Sequence, residues 1–235
     1  MNKYFKFMAV ALIGLLSVSA YAINFSGKHY QGIGKVAGHP LDYWVTLEMD
    51  AEDAEVSVGQ VYNFMGAYTA TGSGDSSTLT IAVPSSPKAT LKTTDGGSTL
   101  TGNISLDGKK IDLWLLQVPR KLKETQKPSE ELMDILASPD GYTCFVQLRQ
   151  SGGVLCVTSD FNFNNEGRFN IVCDNPQIQE MFENIKGSYS VEGSNVVLTT
   201  DKGPVLKGTI YDDGNYLIIP VGAKGGMDMT LVLIR

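Results

Sequence analysis

The chain has 235 residues, 43% of them hydrophobic and 9% aromatic, with a formal net charge of −6. An acidic chain whose one Lys and Arg cluster falls at 120–123 has few of the cations that phosphate contacts require, which argues against a nucleic-acid or anionic-membrane surface. With only two histidines and no CxxC pairing, the sequence also holds no recognisable zinc site, and no cofactor is implied.

Residues 1–22 read as a signal peptide. Lys3 and Lys6 precede the apolar run "MAVALIGLLSV", and Ala20 and Ala22 stand at small-residue cleavage positions. The run is shorter than the roughly 20 residues that a helical span needs. Cleavage after Ala22 takes two of the 19 basic residues and none of the 25 acidic ones, so the net charge falls from −6 to −8. The expected product is an exported, soluble monomer without membrane insertion, periplasmic or extracellular.

Residues 23–118 read as a first β domain. If "AGHP" at 37–40 is a hairpin turn, His29 falls opposite Glu48. Such a pair is capable of acid–base work, but a cross-strand polar pair is the plainer reading. The acidic run "EMDAEDAE" lacks the glycine and ligand spacing of a calcium loop and reads as a solvated turn. Val58, Val61, Tyr62 and Met65 have the i, i+3, i+4, i+7 spacing of a helix face, and Ser57 and Gln60 have capping-box spacing. A short amphipathic helix is therefore expected, ending at Gly66. Further on, "VPSSPKATLKTTDGGS" reads as a loop or an extra hairpin, with 84–98 as a natural contact element.

Residues 119–140 read as a linker. Arg120, Lys121 and Lys123 are its solvated cations, and "PSEELMDILAS" puts Leu132, Ile135 and Leu136 on one side of a short helix.

Residues 141–235 read as a second β domain, with strands at 142–150, 154–163, 168–172, 188–191, 195–200, 205–211, 216–221 and 227–235. The turns "SGG", "NNEG", "EGSN", "DKGP" and "DDGN" separate most of them, with Gly and Asn supplying positive φ. Ile178, Met181, Phe182 and Ile185 repeat the helix spacing of the first half, after Asp174 and Pro176. Cys144, Cys156 and Cys173 all lie here. Counting from the "SGG" turn puts Cys156 opposite about Arg149, so a Cys144–Cys156 disulfide is not favoured and buried free thiols are expected.

The two halves echo each other. Gly66, Tyr68, Gly72 and Ser73 match Gly187, Tyr189, Gly193 and Ser194 at constant offset, and "LTGNISLDGKKIDL" matches "LKGTIYDDGNYLII". The segments "FNFNNEGRFNIV", "GSYSVEGSNVVLTT", "GTIYDDGNYLIIPV" and "GGMDMTLVLIR" resemble the small lipocalin-like domains of exported Bacteroidetes proteins. The resemblance covers most of the second half and the central elements of the first. It implies a calycin-type barrel. The fold class expected is all-β: two tandem antiparallel lipocalin-like β-barrels, or barrel-like sandwiches, each with one short amphipathic helix. A closed barrel leaves no unpaired edge.

No nucleophile, base or phosphate loop is assembled by any motif, so the chain is not expected to be an enzyme. The aromatic residues carry the remaining signal. Trp44, Tyr62, Tyr68 and Trp114 in the first half, and Phe161, Phe163, Phe182 and Tyr189 in the second, are the candidate lining for a small apolar ligand. The alternative is a structural or interaction module, with solid barrels and loops that meet a protein or glycan.

Overall fold

The computed structural model describes residues 22–82, 88–173, 185–224 and 227–235. Among these residues, sixteen strands, one α-helix and a 3-10 turn (Asp212–Gly214) follow one another: β1 (His29–Val36), β2 (Asp42–Met49), β3 (Asp53–Val58), β4 (Tyr62–Ser73), β5 (Ser76–Ile81), β6 (Ala89–Thr93), β7 (Thr99–Leu106), β8 (Lys109–Val118), α1 (Ser129–Leu136), β9 (Tyr142–Gln150), β10 (Gly153–Phe163), β11 (Arg168–Val172), β12 (Lys186–Glu192), β13 (Asn195–Thr200), β14 (Val205–Tyr211), β15 (Tyr216–Lys224) and β16 (Met227–Ile234). The expected signal peptide falls outside the described residues, apart from Ala22. Among the described residues no helix is long and apolar enough to cross a membrane.

The first eight strands pair antiparallel in the order β1-β8-β7-β6-β5-β4-β3-β2, and β2 returns to β1, closing a barrel. The other eight pair as β10-β11-β12-β13-β14-β15-β16-β9, and β9 pairs again with β10. Alternation decides which side chains face inward. Along β3, Ala54, Val56 and Val58 are buried while Asp53 and Glu55 are exposed; β11 buries Phe169 and Ile171. Inward residues such as Tyr30, Leu47, Met49, Leu79, Leu91 and Leu115 fill the first barrel. Phe161, Phe163, Leu198, Leu217 and Leu233 belong to a second core, and Leu132 and Leu136 of α1 join it.

The helix expected at 58–65 is not formed. Gly59 and Gln60 both have positive φ (63° and 59°), and Val61 N–H donates to Val58 C=O at 3.2 Å. This is a left-handed turn within the three-residue loop 59–61 of the β3–β4 hairpin, with Val58 opposite Tyr62. The helical spacing was coincidental: Val58 is buried, whereas Val61 and Met65 are 52% and 58% exposed. The second expected helix lies almost wholly on residues 174–184, outside the described ones.

Of the two readings of the 84–98 segment, a loop or an extra hairpin, the hairpin is the one formed. Ala89–Thr93 is wall strand β6, paired with β5 and β7. The turn that follows is tied down, with Tyr30 Oη donating to Gly97 C=O at 2.9 Å and Lys28 Nζ to Gly96 C=O at 3.4 Å. Residues 83–87 are outside the described ones. The downstream echo is also corrected. "LTGNISLDGKKIDL" forms β7–β8, the last two strands of the first eight, but "LKGTIYDDGNYLII" forms β14–β15, the sixth and seventh of the second. What those two stretches share is hairpin chemistry rather than position in the ring.

The upstream echo has a geometric cause. A Cβ on Gly66 would sit 1.7 Å from Ala82 O, and one on Gly187 would sit 2.0 Å from Thr199 O. Each glycine lets the neighbouring strand's carbonyl cross where a side chain would stand.

The linker is stitched to the second half. Asp212 N–H donates to Lys123 C=O at 2.8 Å, Thr125 N–H to Ile210 C=O at 3.2 Å, and Glu124 bridges to Tyr211. Lys127 pairs with Glu131 one helical turn on. All three cysteines are free and buried. Cys156 faces Gln147 rather than Arg149, because the β9–β10 turn is tighter than the "SGG" count assumed: Gly153 itself pairs with Gln150.

Candidate binding site at the junction of the halves

The residues that alternate outward on β8, β1 and β2 do not face solvent. Ile33, Trp44 and Val118 form a third buried cluster with Phe145, Val154, Cys156, Tyr216, Val232 and Ile234 from the second half. Phe145 is fully buried between two indoles, with ring centroids 5.3 Å from Trp44 and 5.8 Å from Trp114. The backbones also meet. Leu155 pairs with Tyr43 and Cys156 with Asp42, and Val154 N–H donates to Gly59 C=O at 2.8 Å. Above this apolar patch, Tyr216 Oη donates to Gln31 Oε1 at 2.6 Å.

Two grooves open beside the contact. One, of about 350 Å³, runs between Lys35, Pro40 and Asp42 on one side and Cys156–Asp160 with Val172 on the other. The second, of about 480 Å³, lies between Gln60 and Val61 and the 149–154 turn. The first has the richer chemistry. Burial raises the Asp42 carboxyl above its ordinary value, against the opposing pull of Lys35 and His39. Thr158 Oγ1 is buried with no hydrogen-bond partner, and Val172 is 45% exposed. The groove thus carries charges of both signs and an unpaired hydroxyl. Among the described residues no cluster of His, Cys, Asp and Glu is arranged to hold a metal ion.

The aromatic residues offered as lining, one set in each half, take different places. Trp44 and Trp114 face outward into the junction. Phe161, Phe163 and Tyr189 lie in the second core, where Phe161 stacks on Phe169 (5.5 Å, 9°) and Phe163 meets Tyr189 edge-on at 4.7 Å. Tyr62 is 39% exposed at a shallow recess of about 130 Å³, where the charge of Asp107 raises its hydroxyl pKa. Tyr68 reaches across the first half's surface, donating to Asp50 C=O at 2.9 Å. Phe182 lies outside the described residues. The His29–Glu48 register holds, with Nδ1 3.7 Å from Oε1. Arg120 ties Glu48 to Asp50, so these members of the acidic run have a cation partner. Lys35, Asp42 and Thr158 were missed because their meeting depends on how the halves pack. The one available signal was an outward-facing tryptophan, which marks a strand face that something must cover.

No protein-family model matches the chain, and neither the curated proteins nor the solved structures contain a significant match.

Proposed function

We propose that the chain is an exported, non-enzymatic contact protein, in which two tandem calycin-type barrels serve as solid supports and a polar partner binds where they meet. The observation that carries this reading is the distribution of space. The inward side chains of both rings pack as continuous buried clusters, while grooves of about 350 and 480 Å³ open between the halves. Eight-stranded barrels are of a size that their own side chains fill. Lys35, Asp42 and Asp160 give the first groove charges of both signs, which suits a glycan or a polypeptide segment rather than a lipid. The tandem reading is supported by Gly66 and Gly187, which admit a crossing carbonyl in the same way.

The test is a binding screen of glycans and peptides against isotope-labelled protein. Backbone shift changes at Lys35, Asp42, Thr158 and Val172 are expected. Perturbation confined to other surfaces removes the groove as the site. The alternative, a small apolar ligand, is favoured by the aromatic cluster of Phe161, Phe163 and Tyr189 lying in the core that α1 joins. Native mass spectrometry of protein from its own host decides between the two, since a retained lipid mass supports the alternative. N-terminal sequencing of that material tests the export reading, with Ile23 as the expected first residue.

A further inference from the structure

One partly buried chain of polar groups crosses the junction and is not needed for the groove. Tyr216 Oη on β15 gives its proton to Gln31 Oε1 at 2.6 Å, and Gln31 Nε2 stands 3.1 Å from His29 Nε2. Because the amide oxygen is committed to Tyr216, the group facing His29 is the NH2, which can only donate. His29 Nε2 must then offer a bare lone pair. The ring proton sits on Nδ1, pointing towards Glu48 Oε1 at 3.7 Å with no hydrogen bond formed.

A second proton on this ring can go only to Nε2, where it meets another donor. The conflict is relieved by turning the Gln31 amide over, so that its oxygen accepts from His29 and its NH2 points at Tyr216. The Tyr216 hydroxyl must then accept, and its own proton loses its partner at a site only 3% exposed. The groups around His29 are few. Glu48 faces it from β2 and favours the charged ring. Arg120, beyond the end of β8, disfavours it. Val118, opposite on β8, is apolar, and Tyr216 approaches from β15. Burial is the largest influence and, with Arg120, outweighs Glu48, so the His29 pKa lies below its ordinary 6.5.

We propose that His29, Gln31 and Tyr216 form a proton-sensitive latch, in which protonation of His29 reverses the Gln31 amide, releases the Tyr216 hydroxyl and loosens the contact between the halves. The sign follows from linkage. The ring binds its proton more weakly in the folded protein than in the unfolded chain. The latch is therefore intact at and above about pH 6.5, and is lost as the pH falls below that value, through the lowered folded-state pKa of the ring.

The test is hydrogen exchange of the full chain at about pH 7.5 and pH 5, corrected for intrinsic rates, with tryptophan emission recorded alongside. Protection of β1 and β15 amides is expected to fall by about tenfold or more at the lower pH, with a red shift from Trp44 and Trp114. His29→Gln, which stays neutral, is expected to show neither change. Tyr216→Phe, which removes the displaced hydroxyl, is expected to lose most of the response and serves if the first variant does not fold. Nitrogen-15 shifts at neutral pH are expected to report the Nδ1–H tautomer. Unchanged protection in the wild type, an acid response in His29→Gln equal to that of wild type, or an Nε2–H tautomer each overturns the proposal.

Discussion

Tyr68 and Tyr189 hold corresponding turns in the two halves by the same two bonds. Tyr68 donates its backbone N–H to Glu52 C=O at 3.1 Å and its hydroxyl to Asp50 C=O at 2.9 Å, within the β2–β3 turn. Tyr189 donates its N–H to Gly167 C=O at 2.8 Å and its hydroxyl to Asn164 C=O at 3.0 Å, within the β10–β11 turn. The "GxY" spelling at both places thus has a mechanical reason. Glycine lets the neighbouring strand pass, and tyrosine two residues on ties a turn to the fourth strand of its half. Tyr189→Phe is expected to cost about 1 kcal/mol, the net worth of one hydrogen bond. Tyr68→Phe, at a more exposed position, is expected to cost less. Urea unfolding midpoints give both numbers.

Phe145 is the centre of the contact between the halves. Truncating a fully buried phenylalanine costs about 3–5 kcal/mol, so Phe145→Ala is expected to destabilise by that order. Both tryptophans of the chain touch this ring. Their emission therefore reports on the junction alone, and a red shift in the folded variant is the expected signature. An unshifted spectrum together with a large loss of stability would place the damage elsewhere.

The three thiols should be inert in the native protein. Cys144 and Cys156 are fully buried, and burial pushes both thiols far above their ordinary pKa. Cys144 pairs with Ser159, and Cys173 follows Val172, which pairs with Asp160. This register sets Cys144 and Cys173 on either side of Ser159, two strand spacings or about 9–10 Å apart. That exceeds the Cα separation a disulfide spans. Ellman's reagent is expected to find no thiol in native protein and three in denaturant, with no disulfide formed after mild oxidation.

Asp95 gives the first barrel an acid dependence. Burial works to raise its pKa, but hydrogen bonds from Thr93, Thr99 and Ser98 outweigh it and hold the carboxyl at about 2. The ordinary value is 3.8. A depressed carboxyl contributes stability that is complete above the unfolded value, so this contribution is lost as the pH falls from about 4 to 2. The group is exposed, and solvent screening keeps the effect below about 1 kcal/mol. Asp95→Asn is expected to remove the difference in unfolding free energy between pH 4 and pH 2.5 that this turn supplies.

The strands of the second half were readable because turn residues bracket them. "SGG", "NNEG" and "EGSN" each stand at a hairpin, and the expected bounds of β9, β11, β13 and β14 match those observed. His29 was correctly placed opposite Glu48 for the same reason. The 58–65 helix failed because the helical spacing of four apolar residues arose by chance across a hairpin, and sequence spacing does not register that Gly59 and Gln60 share a left-handed turn. The candidate site was the least legible part. Alternation shows that Trp44 turns away from Tyr43, yet it cannot show that Phe145 waits on the other side. Lys35 and Thr158, 123 positions apart, become neighbours of one groove only through the way the two halves pack.

The neck between β2 and β10 has only two paired residues on each strand. The remaining adhesion comes from side chains and a few turn bonds, and those can be exchanged without unzipping either ladder. Divergence could therefore tilt one ring against the other, widening or narrowing the cleft between them, while each ring kept its own stability. The width of the grooves and the strength of the strand ladders are therefore set by different residues.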